Sequence, residues 1–490
     1  MKTVTTLFSA LFIFCVSSYA QWTNYQSAEF VIGQPDFTTY YSTTSAIGLS
    51  GPYAVAVDIE HSKLYVADVD NHRVLRYAYP FTSNQPTAEL VFGEPDFTTT
   101  YTSNQFTGQW PAPTASQILY PMALAVYNGD LWVLDEGNER VVKFSQAYSI
   151  STNNPGANLV LGQSTFTTRD FSCSSSTFYT PWGMTIDNNG NLWVADTGNY
   201  RVLKFGNVST LTSGASAVGV LGKSSFTDSS IPTTTAQNNF STVSSLCSDN
   251  NGNLWVCDKG NNRVLKFSNL PESPLGESAS GVLGQSDFTT KGLSTTPFTF
   301  MRPFGVCADG KGDLYVADQD NNRVMIFLNA SLKTNGASAD NWLGSSFYSN
   351  SYTYGQKSFA PQSITNMAVD NVNGKLLVAD LRASRVMQFA ASGTLGTNVQ
   401  DIKKDNANSF GLSISRKADC IQFQFQNMKQ GIASLKIYNI QGIEITELNG
   451  SNLETGLQTI NWSFNRIPKG VYLCNIRNGI FSETKKFIIE

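Results

Sequence analysis

LYVADVDNHRVLRY, residues 64–77, returns five more times: LWVLDEGNERVVKF (131–144), LWVADTGNYRVLKF (192–205), LWVCDKGNNRVLKF (254–267), LYVADQDNNRVMIF (314–327) and LLVADLRASRVMQF (376–389). Each copy is an apolar strand ending in Asp, a short polar turn rich in Gly and Asn, and a second strand that opens with Arg five positions after the Asp. The pairs are Asp68/Arg73, Asp135/Arg140, Asp196/Arg201, Asp258/Arg263, Asp318/Arg323 and Asp380/Arg385. Successive Asp positions lie 67, 61, 62, 60 and 62 residues apart. That period exceeds most solenoid repeats and suits a four-stranded propeller blade with one long loop.

Two further segments recur in step and supply the other strands. PYAVAVD (52–58), PMALAVY (121–127), PWGMTID (181–187), VSSLCSD (243–249), PFGVCAD (303–309) and ITNMAVD (364–370) precede the LYVAD strand. VFGEPDFTT (91–99), VLGQSTFTT (160–168), VLGKSSFTD (220–228), VLGQSDFTT (282–290) and WLGSSFYS (342–349) follow the RVLKF strand. A sixth copy of this last segment, VIGQPDFTT (31–39), stands before the first unit, while the corresponding place after Phe389 falls in the polar run DIKKDNAN. The economical solution is a ring in which residues 29–34 complete the last blade, so that neither sheet edge is exposed. The strands are apolar on both faces, as expected where blades pack face to face. The expected fold is all-β: a six-bladed β-propeller closed by an N-terminal strand, followed by a small C-terminal β-sandwich.

Composition narrows the setting. A net charge of -4 without basic runs argues against nucleic acid, and charged residues make up 14% of the 490, against roughly 25% in ordinary soluble proteins. Ser, Thr and Asn are abundant instead, which suits an exported chain. Lys2, an apolar stretch over residues 7–16 and Ser18-Tyr19-Ala20 read as a signal peptide over residues 1–20. The expected division is then a propeller over 21–395, a linker over 396–408 and a small domain over 409–490. No later stretch offers the roughly 20 apolar residues that span a bilayer, so no transmembrane segment is expected in the mature chain. Beyond Cys15 there are six cysteines, and Cys247, Cys257 and Cys307 fill repeat positions that small residues hold elsewhere, which reads as buried thiols. Pairing of Cys247 with Cys257, or of Cys420 with Cys474, stays open.

The segments PxGxAxD, LYVAD and NxRVLKF together resemble the NHL repeat, over roughly residues 29–395. The resemblance implies that PFGVCAD is the inner strand of its blade, LYVAD the next, RVMIF the third and VLGQ the outer one. Local departures are Tyr127 in place of the inner-strand Asp, the missing Pro-x-Gly of the fourth unit and Arg382-Ala383 in the sixth turn. Near the C-terminus, LKIYNIQGIEI from Leu435, LETGLQTINW from Leu453, IPKGVYLCNI from Ile467 and KKFII from Lys485 resemble the sorting domain of the type IX secretion system. Read directly, these are strands between Gly and Asn turns, as in a small sandwich. The resemblance implies passage through the periplasm and across the outer membrane, with that secretion machinery as a partner and secretion or surface display as the outcome.

Little in the chain points to catalysis. Six equal copies of an Asp/Arg ladder read as structure: each carboxylate and guanidinium meets across its turn as a bidentate pair that fixes hairpin register. The two histidines, His61 and His72, both lie in turns of the first unit and do not form a zinc set. Asp68-Val-Asp70-Asn71 and Asp318-Gln-Asp320-Asn321 offer oxygen ligands but no complete calcium loop, and read as turn formers. No metal site or cofactor is assigned, calcium alone being left open. GxSxG, phosphate-loop and GxGxxG patterns are missing, so enzyme function has no positive support.

The loops from outer strand to next inner strand stand out as long and rich in Thr, Ser and aromatics. In a propeller they share a face with the Asp-to-Arg turns. Candidate binding residues there are Tyr40, Tyr41, Tyr101, Trp110, Tyr179, Trp182, Phe304, Tyr352 and Tyr354, with Phe106, Phe178 and Phe298 nearby; the Phe of each DFTT reads as packing. The leading expectation is a secreted or surface propeller that binds an extracellular protein or glycan. The alternative is an exported lyase or lactone hydrolase with a carboxylate or calcium site at the channel mouth.

Overall fold

The computed structural model describes residue 22, residues 26–100, 112–344 and 363–391, and the strands between 413 and 489. The chain divides into two compact units, 1–395 and 396–490.

In the first unit each sequence repeat becomes an antiparallel four-stranded sheet. Pro52–Asp58, Lys63–Asp68, Arg73–Ala78 and Leu90–Phe92 form the first, from the inner strand outward. Sheets over 121–161, 183–221, 243–283 and 306–344 repeat it. Inner strands neighbour one another in sequence order, and the sixth, Ile364–Asp370, returns to Pro52–Asp58, which makes the ring. The chain is all-β with six blades, as its repeat requires.

Burial explains the doubly apolar strands. Ala54, Tyr65, Val74 and Phe92 of the first blade share one cluster with Leu124, Val133 and Phe144 of the second. With a blade on either side, no strand face reaches water, and period-two alternation loses its purpose. Regular pairing starts at Gly183 and Val306 rather than at the preceding prolines. A Cβ on Gly183 would lie 2.8 Å from Ser245 Cα of the next blade, and Gly305 meets Thr365 of the sixth in the same way. The inner strands converge too tightly there for a side chain.

The ring closes as the displaced repeat demanded. Phe30–Ile32 is the outer strand of the sixth blade, antiparallel to Arg385–Ala390 with Phe30 opposite Gln388 and Ile32 opposite Val386. Glu29 N donates to the Gln388 carbonyl at 2.7 Å, and Lys375 Nζ meets the Glu29 carboxylate at 2.7 Å. Further upstream, the Gln26 side-chain amide donates to the Ala390 carbonyl. Trp22 is buried, its Nε1 donating to Tyr315 Oη at 2.8 Å.

The second unit has two antiparallel sheets. Ser413–Arg416, Cys420–Asn427 and Gly456–Ser463 form one; Glu444–Leu453, Gly431–Asn439, Gly470–Asn478 and Phe481–Ile489 form the other. Ile421, Phe423 and Phe425 turn inward onto Leu435, Ile437, Cys474 and Ile476 of the facing sheet. Here strict alternation holds, because each sheet has only one covered face. None of the six cysteines beyond Cys15 is in a disulfide. Cys247 lies opposite Trp255 and Cys257 opposite Ser245, so the two thiols are out of register across their hairpin. Burial pushes the Cys257 thiol up to about 12, which makes it inert. Among the described residues no helix is long and apolar enough to cross a membrane.

Candidate functional site at the upper face of the ring

We call upper the end that carries the Asp-to-Arg turns. All six ladder pairs are present, with Arg Nε donating to Asp Oδ2 at 2.7 to 3.0 Å, and every one of these aspartates is fully buried. In the first five blades the contact runs through Nε alone, and both Nη nitrogens are used elsewhere. In the first blade Arg73 Nη1 donates to the Phe97 carbonyl, and Nη2 to the Ser45 and Gly48 carbonyls at 2.9 and 3.2 Å. Arg140, Arg201 and Arg263 repeat this on Phe166, Phe226 and Phe288 and on the loop before their own blade. Arg385 reaches the Phe37 carbonyl, and Arg323 Nη1 donates to the Thr295 carbonyl at 2.8 Å. The second aspartate oxygen accepts the backbone N–H that leads into the inner strand, as from Ser50 at 2.6 Å and Tyr179 at 2.6 Å.

The pair is therefore a latch that ties the loop entering a blade to the loop leaving it. Register in the hairpin is a by-product. The DFTT segment supplies the acceptor through the carbonyl of its Phe, and its Asp braces the turn: Asp36 Oδ1 accepts from Thr38 N and Thr39 N at 2.7 and 2.8 Å. The Thr38 hydroxyl, donating to the same oxygen at 2.8 Å, together with those backbone bonds holds the exposed Asp36 carboxyl down to about 2. The VLGQ glutamine adds another tie, Gln34 Nε2 donating to the Ser384 carbonyl at 2.9 Å and Gln285 Nε2 to the Asn262 carbonyl at 2.9 Å. Sequence reading missed both roles. The recurrence of Gln after VLG was the available signal.

The lower rim has its own repeated contact. The Asp that ends the inner strand accepts from the ring of the second strand: Trp193 Nε1 to Asp187 at 2.9 Å, Trp255 Nε1 to Asp249 at 2.9 Å and Tyr315 Oη to Asp309 at 3.2 Å. In the second blade Tyr127 replaces that Asp, and Trp132 Nε1 is buried with no acceptor among the described residues.

At the upper end of the channel the residue after the inner-strand Pro decides the lining. Tyr53 and Phe304 meet edge to face at 5.2 Å, and Trp182 stacks on Phe304 at 5.9 Å. They belong to the first, third and fifth blades, and side chains from alternate blades can meet only on the axis. Just above them stands the residue that follows each latch aspartate: Val69, Glu136, Thr197, Lys259, Gln319 and Leu381. Lys259 Nζ lies 4.2 Å from the centre of the Phe304 ring and donates to Gln319 Oε1 at 3.1 Å. Burial, helped by Arg302, pushes the Lys259 ammonium down to about 8. Burial likewise pushes the Glu136 carboxyl up to about 7 and that of Glu139 up to about 8. His72, also in these turns, is pushed down to about 4 by burial and accepts from Tyr120 N at 3.3 Å.

The sequence candidates separate by environment. Tyr40, Tyr41 and Tyr179 are exposed on the loops, Tyr179 beside exposed Phe171 with ring centres 6.2 Å apart; Phe298 is exposed too. Trp182 is half-buried and Phe304 buried on the axis, while Phe178 is fully buried in the core. Tyr101, Phe106, Trp110, Tyr352 and Tyr354 lie outside the described residues. The carboxylates of Asp68 and Asp318 are taken up by Arg73 and Arg323. Among the described residues no three His, Cys, Asp or Glu side chains gather in a metal-ligating group.

Comparison with known proteins agrees with this geometry. The NHL repeat model matches residues 178–205, 240–267 and 300–327, three successive hairpins together with the loop residues before them. Residues 417–490 match the secretion system C-terminal sorting domain. The chain carries NHL repeats and a type IX sorting domain. It is thus an exported propeller, secreted or held at the cell surface, and the secretion machinery is one of its partners. No curated protein matches it. Among solved structures it is similar to PorZ, a surface component of the type IX secretion system of Porphyromonas gingivalis (14% identity, 89% of this chain and 51% of that one, TM-score 0.39). It is also similar to a virginiamycin B lyase from Staphylococcus aureus (12%, 76% and 91%, 0.35) and to a putative gluconolactonase (12%, 73% and 96%, 0.39). The chain spans about half the length of PorZ.

Proposed function

We propose that this exported ring is a binding module whose upper face takes an extracellular glycan or protein. The observation that carries the reading is the exposure of Tyr40, Tyr41, Phe171 and Tyr179 on loops whose bases are tied down by buried latches. Large rings held on a rigid base lose little entropy on binding, and their flat faces suit sugar rings or apolar protein surfaces. Hydroxyls of the flanking Ser and Thr residues add hydrogen-bonding capacity. The test is a glycan array probed with the purified protein, followed by Tyr40→Ala with Tyr41→Ala, and by Tyr179→Ala. Loss of about tenfold in affinity for either variant is the expected result. Unchanged binding in both sinks the reading, and an array without a hit moves the ligand to the protein class.

The carboxylates of Asp70, Glu136 and Glu139 near the channel mouth motivate the second reading, an exported lyase or lactone hydrolase. Metal content of the purified protein, with and without calcium, and turnover of a simple lactone distinguish it from the binding module.

A further inference from the structure

One residue separates the latch from the channel, and at that position the repeat gives way. Blade by blade it holds Val69, Glu136, Thr197, Lys259, Gln319 and Leu381, six different side chains, of which Val69 and Thr197 are buried. Two of them carry opposite charge, two blades apart with Thr197 between, and they make no ion pair with each other among the described residues. The Glu136 side chain is half-buried and has no hydrogen-bond partner among the described residues. Lys259 has one neutral partner, Gln319, and rests on an aromatic floor of Phe304 and Trp182. Close by, Arg302 is mostly exposed and pairs only loosely with Asp320, at 3.5 Å.

Half-buried charges of opposite sign that are left apart are costly, because each has lost water without gaining an opposite charge in exchange. A fold that needed only packing would place apolar residues here, as it does at Val69 and Leu381. The floor beneath is apolar, Tyr53 and Trp182 both meeting Phe304 there, so whatever lies on it from above meets rings below. We propose that the channel mouth is a separate site for a small zwitterion, an anionic group on Lys259 and a cationic group on Glu136, joined by an apolar body that lies on Trp182 and Phe304. This site goes beyond the loop-face reading and does not depend on it. It takes a molecule the size of the opening, not a polymer.

The experiment uses the full chain and a series of linear ω-amino carboxylates of graded length, with the dicarboxylate and the diamine of each length as controls, measured by titration calorimetry at a pH between about 7, above which Glu136 is ionised, and about 8, below which Lys259 keeps its proton. One zwitterion of matching span is expected to bind, with both controls weaker by about tenfold or more because each places a like charge against Glu136 or Lys259. Lys259→Met is expected to erase the preference over the diamine, and Glu136→Gln the preference over the dicarboxylate, while Tyr40→Ala leaves both unchanged. Thermal melts confirm that the variants fold, and the length series on the unaltered protein stands without them. Equal binding of a dicarboxylate or a diamine, or no saturable binding by any zwitterion in the series, overturns the proposal.

Discussion

Asp135 and Glu136 are neighbours in the chain, yet they belong to different kinds of structure. Asp135 is one of six equal aspartates, fully buried and clamped to its arginine at 2.7 Å. Glu136 stands at a position where every blade has a different residue. Latches must be alike because each solves the same problem, joining two loops to a hairpin in a dry place. The channel ring need not be alike, and its variety is what a one-of-a-kind ligand requires. Repetition here marks the scaffold, and its failure one residue later marks the place to look for function.

The sharpest way to break that comparison is to remove one latch. Arg201→Ala leaves Asp196 buried without its cation and strips partners from Phe226, Ser174 and Thr177, so a loss of about 3 to 5 kcal/mol is expected in urea unfolding. Arg201→Lys should recover little, since one ammonium cannot reach acceptors on three sides. The lower rim gives a smaller contrast within a single residue type. Trp255→Phe takes away one of the two N–H donors on Asp249 Oδ2, the other being Asn253 Nδ2, whereas Trp132→Phe removes an N–H that has no acceptor among the described residues. The first is expected to cost about 1 kcal/mol more than the second.

The mouth carboxyls predict a pH signature of defined sign. Glu136 and Glu139 hold their protons up to about 7 and about 8 when folded, above the ordinary value of 4.5. The unfolded chain therefore releases protons first, and stability falls as pH rises through that interval and levels off above it. Glu136→Gln combined with Glu139→Gln should flatten the urea midpoint over this window; an unchanged slope contradicts the burial of these groups. Smallest of all, Lys259→Met should move stability by no more than about 0.5 kcal/mol, for the loss of one hydrogen bond to Gln319 and of its charge over the rings is offset by relief of a half-buried charge and an apolar chain left on the same floor. A large loss there would make the channel ring part of the scaffold after all.

Much of the ring was readable before any coordinates, because its information is periodic. Five spacings and one displaced VIGQPDFTT were enough to place Phe30–Ile32 beside Arg385–Ala390. The ladder was legible as residues but not as geometry. A bidentate pair was expected, and the loop carbonyls that divert the guanidinium are backbone groups, which leave no mark in a sequence. The aromatic floor was hidden for another reason. Tyr53, Trp182 and Phe304 come from alternate blades, and only ring closure shows that such positions meet on an axis. Of the loop aromatics, the sequence could not separate exposed Tyr179 from Phe178, its fully buried neighbour, because a long loop has no period to reveal which side is inward.

Closure by the N-terminal strand also has a mechanical meaning. Phe30 faces Gln388, so the chain enters and leaves the sixth blade at the same end of that strand pair. A load applied between the two ends of the ring would open the pair like a zipper, bond after bond, instead of shearing all of its bonds at once. Before the zipper could start, the load would have to draw Trp22 away from Tyr315. The tensile strength of the ring thus rests on a short row of ties at one end of its closing strand, with the Trp22 indole outermost and Gln26 and Glu29 behind it.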